Sequence, residues 1–190
     1  MGPGGVTVND KTRDQLELIR LITAILTRGA QRAWLFGGWG LDARIGYVTR
    51  DHGDIEFWVN RDAALEVQRL LANAGAAVLD TQPSEEATEY DWDGVWFSTA
   101  YFDIQPDGTF IQTQGRFDDW VFPAGSFPDE PVELVVGLSV LAMSLAGMLA
   151  MKEQYPQLRN GRPWRDKDVT DIKLLRSMLE DREPGRTHPT

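Results

Sequence analysis

Gly37 to Phe57 read "GGWGLDARIGYVTRDHGDIEF". An apolar run, "AWLF" (Ala33 to Phe36), stands directly before this stretch, and Trp58 and Val59 follow it. An apolar run closed by a glycine pair reads as a buried strand ending in a turn. "WGLDARIG" then fits a short helix that Gly46 finishes. "DIEFWV" (Asp54 to Val59) reads as the next strand. A period of two sends Asp54, Glu56 and Trp58 to one face and Ile55, Phe57 and Val59 to the other.

Working outward, Leu16, Leu18, Ile19, Leu21, Ile22, Ile25 and Leu26 follow helical spacing between Thr12 and Arg28, and Gly29 stops the helix. After the acidic strand, "RDAALEVQRLLANAG" reads as a helix with Leu65, Leu70 and Leu71 inward. Strands follow at Ala77 to Leu79, Ala87 to Trp92 and Val95 to Ile104, and "DWDG" signals a hairpin between the last two. A Pro/Gly-rich loop (Pro123 to Pro131) leads to a buried strand and then a helix from Ser144 to Tyr155. "WRDKDVTDIKLLRSMLE" makes a final helix. The order is mixed α and β, then helical.

Acids two apart on one strand face have attachment points about 6–7 Å apart, from about 3.3 Å rise per residue. That spacing suits convergence on a hard cation. Mg²⁺ is usually held by one or two carboxylates plus substrate phosphates, and paired ions activate an attacking oxygen and stabilise a leaving one. Asp103, late in the apolar strand "AYFDIQP", is the expected third acid, as a metal ligand or as the base that takes a hydroxyl proton. The plain alternative is a strand-end acid already in solvent. A glycine turn at Gly37 and Gly38 before a helix exposes backbone N–H groups, and the helix N-terminus adds a field that favours anions such as a triphosphate. Neither the dinucleotide nor the P-loop spacing is present.

The chain has 190 residues, no cysteine and a formal charge of −10. One domain with a smaller helical appendage fits that length. Disulfide and thiolate chemistry are excluded, and a cytoplasmic setting is expected. No dense Lys/Arg cluster offers a face for nucleic acid. Leu134 to Met151 carries no charge, but Gly137, Ser139, Ser144 and Gly147 interrupt it, so it reads as core and not as a membrane span. Acids gather at Glu85, Glu86, Glu89, Asp91 and Asp93, and at Asp118 and Asp119. They read as solvated surface or, more sharply, as a rim attracting a cationic small molecule. Trp92, Trp96, Tyr101 and Trp120 line an acceptor pocket or fill the core.

The pattern "GGWGLDARIG-x-x-TR-x-H-x-DIE" resembles the antibiotic nucleotidyltransferases, the aminoglycoside 2''-adenylyltransferase and lincosamide nucleotidyltransferase group of the polymerase β-like superfamily. "FDIQPDG" and "KDVTDIKLL" match more loosely. The resemblance implies an α+β fold with a nucleotidyltransferase-like mixed sheet, flanking helices and a C-terminal helical part. Residues 12–142 would form the core and 143–182 the helical part, between flexible tails at 1–11 and 183–190. It implies that Gly37 and Gly38 meet nucleotide phosphates, with Lys152 and Lys167 as further phosphate contacts. Asp54, Glu56 and Asp103 would hold Mg²⁺, Asp103 doubling as the base. Arg50 and His52 order their loop or approach the nucleotide. Members commonly carry Asp where this chain has Glu56, whose extra methylene moves the carboxylate.

The implied activity is Mg²⁺-dependent transfer of a nucleoside monophosphate from NTP, ATP first, to a hydroxyl of a small molecule such as an aminoglycoside or lincosamide. The alternatives are a nucleotidyltransferase acting on protein or tRNA, and a noncatalytic small-molecule binder that kept the fold.

Overall fold

The computed structural model describes residues 9–80, 85–114, 120–154, 156 and 161–181. A mixed sheet is its backbone. Its strands are β1 (Trp34–Leu35), β2 (Ile55–Asn60), β3 (Ala77–Leu79), β4 (Ala87–Trp92) and β5 (Val95–Ile104). They lie in the order β1-β2-β5-β4-β3, and β6 (Phe110–Gln112) and β7 (Trp120–Val121) extend the sheet from β5. β2 and β5 run parallel, with Ile55 opposite Phe97, Glu56 opposite Ser98 and Asn60 opposite Phe102. The β4–β5 hairpin forms where expected, its two-residue turn made by Asp93 and Gly94, both at positive φ.

Each sheet face has its own core. Ile55, Phe57, Val59, Phe97, Tyr101 and Tyr90 pack with Leu18, Ile19, Ile22, Ile25 and Leu26 of α1 (Asp10–Arg28) and with Val67 and Leu71 of α3 (Ala64–Asn73). On the other face Trp58 and Phe102 meet Phe36, Phe122, Phe127 and Met143. With them pack Leu145, Met148 and Met151 of α4 (Leu145–Glu153) and Leu175 of α5 (Asp166–Glu180). The twofold alternation read from "DIEFWV" therefore holds. Ser144 caps α4 by accepting the Gly147 N–H at 3.1 Å.

Several elements depart from expectation. α2 spans Gly37–Ile45, so the glycine pair opens the helix itself and does not form a turn before it. The apolar stretch after Pro131 folds as a hairpin, β8 (Val132–Val135) and β9 (Leu138–Val140), around Gly137 at φ +75°. A 3-10 turn at Arg61–Ala63 precedes α3 and resets its phase. Val67 and Leu71 are buried, whereas Leu65, expected inward, is 81% exposed. α1 begins at Asp10, with Asn9 as its cap, inside the segment read as a tail. Tyr155, Asp118, Asp119 and the 183–190 tail lie outside the described residues. Among the described residues no helix is long and apolar enough to cross a membrane.

Candidate active site

The glycine pair, the start of β2, the loop between them and the ends of α4 and α5 enclose a polar cavity of about 50 Å³. Gly37, Gly38, Asp54 and Glu56 line one side, and Lys152, Arg165, Lys167 and Asp171 the other. Residues 50–53 close the rim. That volume takes small charged groups and not a nucleoside, since small-molecule pockets run to about 300–1,000 Å³.

The glycines are there because neighbouring side chains occupy the space. Gly37 has φ +63°, and a Cβ on it would collide with the Glu56 carboxylate. A Cβ on Gly38 would collide with the His52 imidazole. The uncapped start of α2, with no side chain bonded to its first N–H groups, therefore lies directly against the acid pair. Free N–H groups and the helix dipole favour anions there.

Glu56 is the perturbed acid of the site. Burial, and then the charge of Asp54, push its carboxyl up to about 7, while Lys152, Lys167 and Arg165 pull the other way. Two carboxylates so placed repel each other until a cation joins them. Both offer hard oxygen donors and line one cavity with four cationic side chains, a set that suits Mg²⁺ carrying a polyphosphate. Among the described residues no third His, Asp or Glu completes a metal-holding group with them.

The cations are held from behind. Arg50 makes two parallel bonds of 2.8 Å to Asp171, which is 1% exposed, and Lys152 reaches the same carboxylate at 2.9 Å. Lys152 also lies 3.7 Å from Asp168. Burial raises the Asp168 carboxyl, but hydrogen bonds and charge from Arg165, with Lys152 behind them, bring it down to about 2. Lys152 is thus buried in this network, and Asp171 partners Arg50 and Lys152. Lys167 is exposed at the cavity edge.

The loop from Gly46 to Gly53 is fastened on both sides. Asp42, fully buried in α2, accepts from the Thr49 N–H and hydroxyl at 3.1 and 2.6 Å and pairs with His52 Nε2 at 2.6 Å. Trp39 packs on the His52 ring, with centroids 4.6 Å apart. From α1, Asn9 and Thr12 bond Asp51 at 2.7 and 2.8 Å, and Lys11 bonds the Gly53 carbonyl at 3.1 Å. His52 therefore orders its loop.

One expected member is elsewhere. Asp103 does not join Asp54 and Glu56. The β2–β5 register puts Ser98 opposite Glu56, so Asp103 lies five residues further along β5. Five is odd, so alternation also turns it to the opposite sheet face, that of Tyr101. There it accepts both bonds from Arg61 Nε, at 3.0 and 3.1 Å, and one from Thr113 at 2.7 Å. Arg61 in turn stacks over Tyr101, a buried core residue. The acids of the Glu85 to Asp93 cluster are not all solvated either: Glu86 and Glu89 are each 6% exposed. Reading from sequence missed Arg165 and Asp171, whose only signal was their position in the acidic and basic start of the last helix.

Residues 18–175 match the family model described as aminoglycoside-2''-adenylyltransferase. A 2''-aminoglycoside nucleotidyltransferase of Escherichia coli is 33% identical over 66 residues, which are 35% of this chain and 37% of the relative. One from Klebsiella pneumoniae matches to the same extent. The chain therefore spans well under half the length of these curated relatives in the matched stretch. Among solved structures, ANT(2'')-Ia in complex with adenylyl-2''-tobramycin superposes with a TM-score of 0.72 at 21% identity, over 87% of this chain and 90% of that one. The lincosamide antibiotic adenylyltransferase LnuA, lincomycin-bound, gives 0.63 at 20% identity, over 90% and 98%. At these identities the two structures establish a shared fold.

Proposed function

Because this chain belongs to the aminoglycoside-2''-adenylyltransferase family, we propose that it transfers a nucleoside monophosphate from a nucleoside triphosphate, ATP in the first instance, to a hydroxyl of a cationic antibiotic. Aminoglycosides are the first class to test and lincosamides the second. One observation carries this reading: the uncapped start of α2 lies against Asp54 and Glu56, with Lys152, Lys167 and Arg165 across the same cavity.

In this reading each group has a task. The N–H groups at Gly37 and Gly38 and the cationic side chains hold triphosphate oxygens and spread their charge. Asp54 and Glu56 would hold Mg²⁺, which when bound neutralises charge on the reacting phosphate and the leaving oxygen. Asp171 and Asp168 keep Arg50, Lys152 and Arg165 in place, so the binding groups are ordered before substrate arrives. Pyrophosphate leaves from the cationic side. The chain's charge of −10 favours a cationic acceptor over a nucleic acid.

The test is direct. Purified protein is incubated with ATP, Mg²⁺ and a panel of aminoglycosides and lincosamides, and products are read by mass spectrometry for an added AMP. The expected result is a singly adenylylated antibiotic with release of pyrophosphate, both lost in Asp54→Asn. Absence of any adduct and of pyrophosphate across the panel would overturn the proposal.

A further inference from the structure

With Asp103 on the far face of the sheet, the transfer reaction proposed above has no assigned proton acceptor. The sheet register supplies one. Glu56 on β2 faces Ser98 on β5, and Ser98 in turn faces Glu89 on β4. Residues directly opposite in neighbouring strands project to the same side. Glu56, Ser98 and Glu89 therefore form one row across three strands, on the face that carries Trp58 and Phe102. Two strand spacings of about 4.7–4.9 Å separate the backbones of the two glutamates by about 10 Å. The residue between them is a short serine.

That spacing fits two separate tasks. Carboxylates sharing one ion must converge, and Glu89 does not join Asp54 and Glu56 in a metal-holding group. A base that takes the proton of an attacking hydroxyl must instead stand off from the metal by the width of the reacting phosphate and the incoming oxygen. By strand spacing the Glu89 backbone stands at such a remove, with only the short Ser98 between. It is only 6% exposed, an unusual place for a glutamate. Asp91, the other β4 acid on this face, is more exposed and accepts the Gly94 N–H at 3.1 Å within the hairpin turn.

We propose that Glu89 is the proton acceptor for the acceptor hydroxyl. The hydroxyl oxygen forms a bond to the α-phosphorus and its proton passes to a Glu89 Oε. The bond from the α-phosphorus to the bridging oxygen breaks, and pyrophosphate departs with that electron pair. This assignment rests on the nucleotidyl-transfer reading of the site.

Two variants test it: Glu89→Gln and Asp91→Asn. Transfer rates are measured with the acceptor found for the wild type. Binding of Mg²⁺ with a nonhydrolysable ATP analogue is followed by calorimetry, and folding by thermal unfolding. Glu89→Gln is expected to bind the nucleotide as the wild type does, keep the acceptor KM within a few-fold, and lose about 10²–10⁴-fold in kcat, the usual contribution of a general base. Asp91→Asn should keep its rate. If Glu89→Gln is unstable, Glu89→Asp, with its carboxylate drawn back by one methylene, should fold and show a reduced kcat at unchanged nucleotide affinity. A folded Glu89→Gln within a few-fold of wild-type kcat overturns the assignment, as does a loss carried wholly by KM. Inactivity shared by the wild type and all variants, with nucleotide binding intact, overturns the transfer reading, and the assignment falls with it.

Discussion

Replacing Glu56 by Gln should make the metal-free protein more stable at alkaline pH. Gln keeps the shape and removes the ionisable group. In the folded protein the Glu56 carboxyl is pushed up from its ordinary 4.5 to about 7, by burial and then by Asp54. Between those values the folded chain holds a proton that the unfolded chain has released, so folding stability falls as pH rises through the window. Above pH 7 the full penalty is present. The interval from 4.5 to about 7, at about 1.36 kcal/mol per pH unit, amounts to on the order of 3 kcal/mol. For a chain of this size that is about 6–12 °C in Tm. The assay is urea or thermal unfolding of wild type and Glu56→Gln in EDTA, from pH 4 to 8. The two curves should meet near pH 4, and the variant should lie above the wild type by the stated amount at pH 8. Adding Mg²⁺ with a nonhydrolysable ATP analogue should raise the wild type and leave the variant nearly unmoved. Parallel pH curves for the two proteins would refute the claim that burial and Asp54 raise the Glu56 carboxyl.

Other perturbations follow from the same geometry. Gly37→Ala forces a side chain into a left-handed backbone and into the Glu56 carboxylate, so it should cost about 1–2 kcal/mol for the backbone alone and weaken Mg²⁺-linked nucleotide uptake in calorimetry. Asp171→Ala leaves Arg50 and Lys152 without their shared partner and should lower stability by about 3–5 kcal/mol in urea unfolding. Asp103→Asn weakens its bonds to Arg61 and Thr113, so it should cost about 1–3 kcal/mol while the proposed nucleotidyl transfer stays near the wild-type rate. Near-total loss of activity in a folded Asp103→Asn would return that residue to the reaction.

The legible part of the site was local in sequence. Gly37, Gly38, Asp54 and Glu56 lie within twenty residues, and twofold alternation alone puts the two acids on one side. Asp103 was misplaced because its position depends on pairing β2 with β5, which are separated by α3, β3 and β4. Nothing within a strand announces that register, and an odd offset reverses the face. The same reason hid Glu89, whose place in the row needs two ladders at once. Lys152 and Lys167 were assigned to the nucleotide side by resemblance, yet the buried carboxylate that braces Lys152 comes from another helix and leaves no local pattern. Leu65 failed for a smaller cause: three residues of tighter turn rotated α3 away from the phase its spacing suggested. Charge counting also misjudged Glu86 and Glu89, since a cluster of acids in sequence says nothing of which strand face each takes.

The loop carrying Arg50 and Asp51 is tied to α1 through Asp51 and to α5 through Arg50. Early and late parts of the chain thus meet at one short seam beside the acid pair. During synthesis the glycines and acids emerge long before α5 does, so a ribosome-bound intermediate holds Arg50 with no Asp171 to receive it. The cleft matures only when its last helix arrives, and trimming that helix disarms residues made more than a hundred positions earlier.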